Sequence, residues 1–295
     1  MFCYIFIHDN TTLNAKEMKC KFAFIVSCIA SILLAASCSR PAKSVAPAPE
    51  DLVSFTSVKS NDTSSFMLSN GEHCQELVEV SATFPKFYKD EATTLKLQKL
   101  YIKKVLEGND SLPVEQAVQQ YASALLHQNF IDGSDGENEI ESNGEKAIAN
   151  KFLFSVNITV AYHQNGIVTL CKEETVKKNN VASKTHQYYN LDLNTMSLID
   201  LSIFKEEAID DICQLLKNKL MKQNNAKNSD ELNDLGFFNI DNLTVTTNFC
   251  FDENGITWSY LPQELAADAN LEPKITLDYG TLKAFASENS VLKQF

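Results

Sequence analysis

Between Leu77 and Phe84 apolar and polar positions alternate, with Val78, Val80, Ala82 and Phe84 on one side and Glu79, Ser81 and Thr83 on the other. That period of two predicts a half-buried strand, and Pro85 stops it. From Ala92 to Glu107 the period lengthens. Leu97, Leu100, Tyr101 and Val105 recur at helical spacing among lysines, with Gly108 following as the expected C-cap. A second helix is predicted over 113–128, with Val114, Ala117, Val118, Tyr121 and Leu125 on one face and Pro113 in its first turn.

Beyond Lys151 the pattern returns to strands, separated by turn residues at Gly166, Asn179-Asn180 and Asn194-Thr195, which predicts an antiparallel meander. Residues 206–223 read as an amphipathic helix with Ile209, Ile212, Leu216 and Leu220 on its stripe, expected to pack on that sheet. A hairpin over 243–251 and 256–260, a strand at 274–279 and a short helix at 281–286 complete the order. Strands in runs give an α+β class rather than βαβ units: an antiparallel sheet packed against helices, preceded by a small strand-plus-two-helices part.

The start of the chain follows a different logic. Phe22–Ser37 is free of charge, preceded by Lys19 and Lys21 and followed by Cys38. It is short for a membrane-crossing helix and suits a signal-peptide core. Leu34-Ala35-Ala36-Ser37-Cys38 resembles a bacterial lipobox, which makes Cys38 the expected lipidation site, with Met18 as the better start. The expected division is a signal peptide at 1–37, a flexible linker at 38–71, a small α+β companion domain at 72–149 and an α+β domain at 150–295. The linker rests on the Pro, Ala, Ser and Thr content of 39–65. The expected location is the bacterial envelope, lipid-anchored in the outer membrane and facing the periplasm or the cell surface.

A hydrophobic share of 44% and a charged share of 22% fit a globular body, not a disordered or polytopic chain. A net charge of -12 excludes nucleic acid as a natural partner, because phosphates require a basic footprint. In an oxidising compartment Cys74, Cys171, Cys213 and Cys250 allow three pairings or four free thiols. The acidic run 132–145 lacks the ligand spacing of a calcium loop, and no Cys/His spacing suits zinc, so no metal and no cofactor are expected. No catalytic residue is assigned: the histidines are isolated and no nucleophile motif occurs. Paired acids such as Glu173-Glu174 read as solvated charge.

Four passages carry a family resemblance. They are Tyr189-Asn190-Leu191-Asp192-Leu193 with Thr195, Leu198-Ile199-Asp200-Leu201 and Phe204; Asn248-Phe249 with Asp252 and Gly255-Ile256; Pro262-Gln263-Glu264-Leu265-Ala266; and Ile275 to Leu282. Together they resemble the RsiV-like domain of unknown function, shared by lysozyme-sensing anti-sigma factors and a peptidoglycan deacetylase and usually preceded by a small companion domain. A glycine-glycine-alanine-histidine turn common in that family is replaced here by Val181-Ala182-Ser183-Lys184-Thr185-His186, which keeps a histidine and loses both glycines. The resemblance implies binding residues at His186, Tyr188, Tyr189 and Glu264. The expected function is an envelope lipoprotein with a non-catalytic binding head for a basic wall-active protein such as lysozyme, or for cell-wall glycan. The alternative is a glycan-modifying enzyme or its accessory subunit. The expected partners are the membrane, through the lipid on Cys38, and a protein or peptidoglycan ligand.

Overall fold

The computed structural model describes residues 52–67, 71, 73–128, 150–178, 181–268 and 270–295. All belong to one compact unit, Pro47–Phe295. The leader, Cys38 and the acidic run 132–145 lie outside the described residues.

A six-stranded sheet takes the sequence order β1-β2-β3-β4-β5-β6. Its members are β1 Ser54–Met67, β2 His73–Phe87, β3 Asn150–Gln164, β4 Ile167–Lys178, β5 Val181–Asp192 and β6 Ser197–Leu198. Much of the stretch expected as linker is therefore a strand. Phe55, Thr56, Val58 and Phe66 supply β propensity, and the antiparallel ladder with β2 runs from Ser54 to Met67. Its signal is faint because both of its faces are rich in Ser, Thr and Asn.

Helices α1, Glu91–Lys104, and α2, Val114–Gln128, join β2 to β3. Asp90 caps α1 by accepting the Thr93 N–H at 2.7 Å. The left-handed residue at its C-terminal end is Glu107, at φ 51, rather than Gly108. The crossover makes β2 and β3 parallel, so the sheet is mixed rather than wholly antiparallel, and it runs on across the boundary expected at 149/150. Both helices bury their apolar stripes on one face, where Val78, Val80, Leu97, Tyr101, Val118, Val156 and Leu170 form the first core. The β3–β4 hairpin turns through Asn165 and Gly166 at φ 54 and 68, the left-handed pair that matches strand twist.

A second sheet contains β7 Phe249–Phe251, β8 Gly255–Ser259 and β9 Lys274–Asp278. Gly255 is obligatory there, because a Cβ would lie 2.0 Å from the Leu277 carbonyl oxygen. Helix α3, Ile209–Gln223, packs chiefly against β9 of this smaller sheet. The helix-covered face of the large sheet is already occupied by α1 and α2, whereas the small sheet offers Ile256, Trp258, Ile275 and Leu277 to Ile212, Leu216 and Leu220. A short helix α4, Ser229–Asp234, and a final turn of helix α5, Tyr279–Leu282, close this second core. Both cores are built from residues 53–295. No described helix is long and apolar enough to cross a membrane. Cys171, Cys213 and Cys250 are free thiols.

Candidate functional site

Because side chains alternate along a strand, the face of the large sheet opposite α1 and α2 carries the odd-numbered residues of β1, β2 and β3. Strand register aligns them into two polar rows. One row runs Lys59, Ser81, Asn157, Glu173, His186, and the next runs Asn61, Glu79, Ser155, Thr175, Lys184. Every one of these ten residues is exposed or half-buried. Five strands spaced about 4.8 Å apart make each row about 19 Å long. An open concavity of ≈860 Å³ is lined by residues 58–61 of β1, 79–81 of β2 and 155–157 of β3, by Glu173, and by Glu115 and Gln119 of α2, so its lining takes in more than this one face. Its lining carries three carboxylates, Glu79, Glu115 and Glu173, and the ammonium of Lys59, while Lys184 is paired with Glu173 from the neighbouring row.

At the β5 end of the rows the second sheet closes over the first, and the junction is made by side chains. Among the described residues the outer edge of β5 has a strand partner only at Leu191 and Asp192. Further back, Glu272 and Asn248 substitute for a strand. Glu272 Oε1 accepts the His186 backbone N–H at 2.7 Å and Oε2 lies 2.5 Å from His186 Nδ1. Asn248 Oδ1 accepts the Tyr188 N–H at 2.9 Å, while its Nδ2 donates to the carbonyls of His186 and Ser259 at 2.9 and 3.0 Å. Asn190 Nδ2 then donates to the Phe249 carbonyl at 2.7 Å. Satisfying these backbone groups in place of a strand is what binds the sheets together.

His186 is consequently held at both ring nitrogens, since Nε2 lies 3.2 Å from Glu173. Lys184 also reaches Glu173, at 2.9 Å. That hydrogen bond, together with His186, holds the Glu173 carboxyl below the usual glutamate range. Tyr188 follows on the same face and accepts a hydrogen bond from Lys274 Nζ at 3.0 Å. Burial pushes its phenol up, pushes the neighbouring Cys171 thiol up and raises Cys250 to about 12. A thiol so shifted stays protonated at neutral pH and is a poor nucleophile.

The sequence-derived positions thus separate. His186 and Tyr188 share the junction. Tyr189 points to the opposite face, is buried in the first core and lies under Lys172, whose Nζ is 5.7 Å from its ring centroid. Lys172 is itself paired with Glu174 at 3.1 Å, so Tyr189 serves packing. Glu264 accepts the Leu261 N–H at 2.8 Å and is taken up in its own exposed turn. Sequence reasoning missed Glu272 and Lys274, named Asn248 only as part of a family passage and not as a site residue, and read Glu173 as mere solvated charge. The alternation of Cys171, Glu173 and Thr175 against Lys172 and Glu174 was the available signal for the last. Among the described residues no group of three His, Cys, Asp or Glu side chains could hold a metal ion.

Residues 202–280 match a family model described as a protein of unknown function, DUF3298. Curated proteins yield no match. Two similar solved structures share the fold. One is a DUF3298 family member from Bacteroides fragilis NCTC 9343, with a TM-score of 0.64 and 16% identity over 83% of this chain and 97% of that one. The other is a DUF3298 family protein from Pseudomonas aeruginosa PAO1, with a TM-score of 0.54 and 14% identity over 81% of this chain and 97% of that one.

Proposed function

We propose that this chain is an envelope lipoprotein, anchored through Cys38, whose folded head is a non-catalytic binding module for a basic wall-active protein of the lysozyme kind. The observation that carries this reading is the open concavity with Glu79, Glu115 and Glu173 around it. Carboxylates held on folded elements, Glu79 and Glu173 on the sheet and Glu115 on α2, attract lysine and arginine side chains without having to be ordered first, and the net charge of -12 steers a cationic partner from a distance. The resemblance to a family that recognises lysozyme points the same way.

The alternative, a glycan-modifying enzyme, draws on one feature: His186 has its Nδ1 against a buried carboxylate, as a general base would. It ranks second because Nε2, the nitrogen that would take a proton, faces Glu173, and the nearest thiol is pushed up by burial.

Two measurements test the proposal. Metabolic labelling with a fatty-acid analogue should mark the wild-type chain and not Cys38→Ala; label on the variant would sink the anchor. Residues 38–295 should bind hen lysozyme with an association rate that falls as salt shortens the Debye length from about 30 Å to about 8 Å. Hydrolysis of a wall fragment without lysozyme binding would favour the enzyme.

A further inference from the structure

The chain is acidic as a whole, yet one stretch of it is basic. Residues 86–104 carry six lysines against two carboxylates, Asp90 and Glu91, and Asp90 is engaged as the cap of α1. All six lysines are exposed. On α1 the spacing at 100° per residue places Leu95, Lys99, Lys103 and Lys96 within a sector of about 100°. Lys86 and Lys89 stand at the corner that leads into the helix.

Apolar side chains sit among these charges. Phe87 and Leu95 are each 51% exposed and Leu52 is 55% exposed. Leu52 lies just before β1, and the β1–β2 register pairs Ser54 with Phe87, so the start of the described chain and this corner occupy the same end of the sheet. Leu52 follows Cys38 by 14 positions, a reach of at most about 50 Å when extended. The 86–89 corner therefore lies at the end of the large sheet where Leu52 leads into β1, and α1 starts from that corner.

We propose that the 86–89 corner and the solvent side of α1 form a membrane-facing surface that rests on anionic phospholipid. The proposal rests on the anchor reading for its biological setting, and it names a surface distinct from the acidic concavity. Charge complementarity selects an anionic leaflet, with each lysine near the surface strengthening binding about fivefold. Exposed Phe87 and Leu95 select lipid over a soluble polyanion, because apolar side chains gain only where there is an acyl boundary to enter. Docking would turn the tether into an oriented platform, in the way that one lipid signal is commonly supported by a second, basic one.

The test uses residues 38–295 carrying Cys38→Ala, which has both cores and no lipid. Its partition is measured by co-sedimentation onto phosphatidylcholine vesicles and onto mixed phosphatidylcholine–phosphatidylglycerol vesicles. Binding is expected on the mixed vesicles alone. The variant Lys96→Gln/Lys99→Gln/Lys103→Gln should lose about a hundredfold, and single Lys99→Gln about fivefold, which keeps the test usable if the triple variant unfolds. Leu95→Ser should weaken binding further, and a soluble polyanion should compete poorly. Equal partition onto both vesicles, no partition at low salt, or an unchanged partition of natively folded Lys variants would overturn the proposal. Efficient competition by the polyanion with no effect of Leu95→Ser would do the same. Lipid labelling of the wild-type chain separates the two ideas: vesicle binding by an unlabelled protein sinks only the anchor, and a labelled protein without vesicle binding sinks only this surface.

Discussion

Glu272 grips His186 twice, accepting its backbone N–H through Oε1 while Oε2 sits against the imidazole Nδ1. One side chain thereby fills a gap in the ladder of the large sheet and ties it to the segment leading into the small one. The Glu272 side chain is only 9% exposed, so its partners cannot simply turn to water.

Glu272→Ala is expected to destabilise the protein by about 1 to 3 kcal/mol, the cost of leaving a half-buried backbone donor and ring nitrogen unsatisfied. Glu272→Gln keeps a carbonyl oxygen for the backbone N–H and should cost less. Chemical denaturation midpoints check both. Equal midpoints for wild type and Glu272→Ala would mean that water replaces the carboxylate without loss.

Glu173 makes stability depend on pH in a fixed direction. Its carboxyl titrates below the usual glutamate range when folded, chiefly because Lys184 hydrogen-bonds it. A group lowered in the folded state adds stability above the unfolded value, about 4.3, and loses it as pH falls through the lower folded value. The stability difference between wild type and Glu173→Gln should therefore hold from neutral pH down to about pH 5 and shrink below it. Urea titrations at several pH values measure it; a difference that grows on acidification would contradict the assignment.

The second core should fail when α3 is undercut. Leu216 is fully buried beside Ile212 and Leu220 against β9, and Leu216→Ala should cost about 2 to 5 kcal/mol. An unchanged midpoint would show that α3 is peripheral.

Trp258 offers a sharper contrast within the same core. It is fully buried, and among the described residues its indole Nε1 has no hydrogen-bond partner. Trp258→Phe removes an unpaired donor along with some volume and should be far milder than Trp258→Ala, for which about 3 to 5 kcal/mol is expected. Comparable losses in thermal unfolding would indicate that the N–H is satisfied after all.

What was legible in the sequence follows from how strongly each element is patterned. α1, α2 and the hairpin from β3 to β4 declare themselves because Leu97, Val118 and Val156 recur at the period of their element and all face one core. β1 does not, since Ser, Thr and Asn occupy both of its faces and its backbone ladder leaves no trace in composition. The parallel step from β2 to β3 depends on which strand edge the crossover returns to, a long-range choice that local periodicity does not encode. His186 was noticed through a family likeness, but Glu272 is 86 residues away in sequence. No spacing rule connects them, and only the closure of the small sheet over β5 brings them together.

The central claim, binding of a basic protein by the acidic concavity, is tested most directly by the association rate of hen lysozyme with residues 38–295 at low ionic strength. The wild-type head is compared with Glu79→Gln/Glu115→Gln/Glu173→Gln. The account predicts measurable binding whose association rate drops at least about tenfold in the triple variant, with the fold retained, because long-range steering scales with the carboxylates removed. The absence of association at low salt, or an equal rate in the natively folded triple variant, would contradict it.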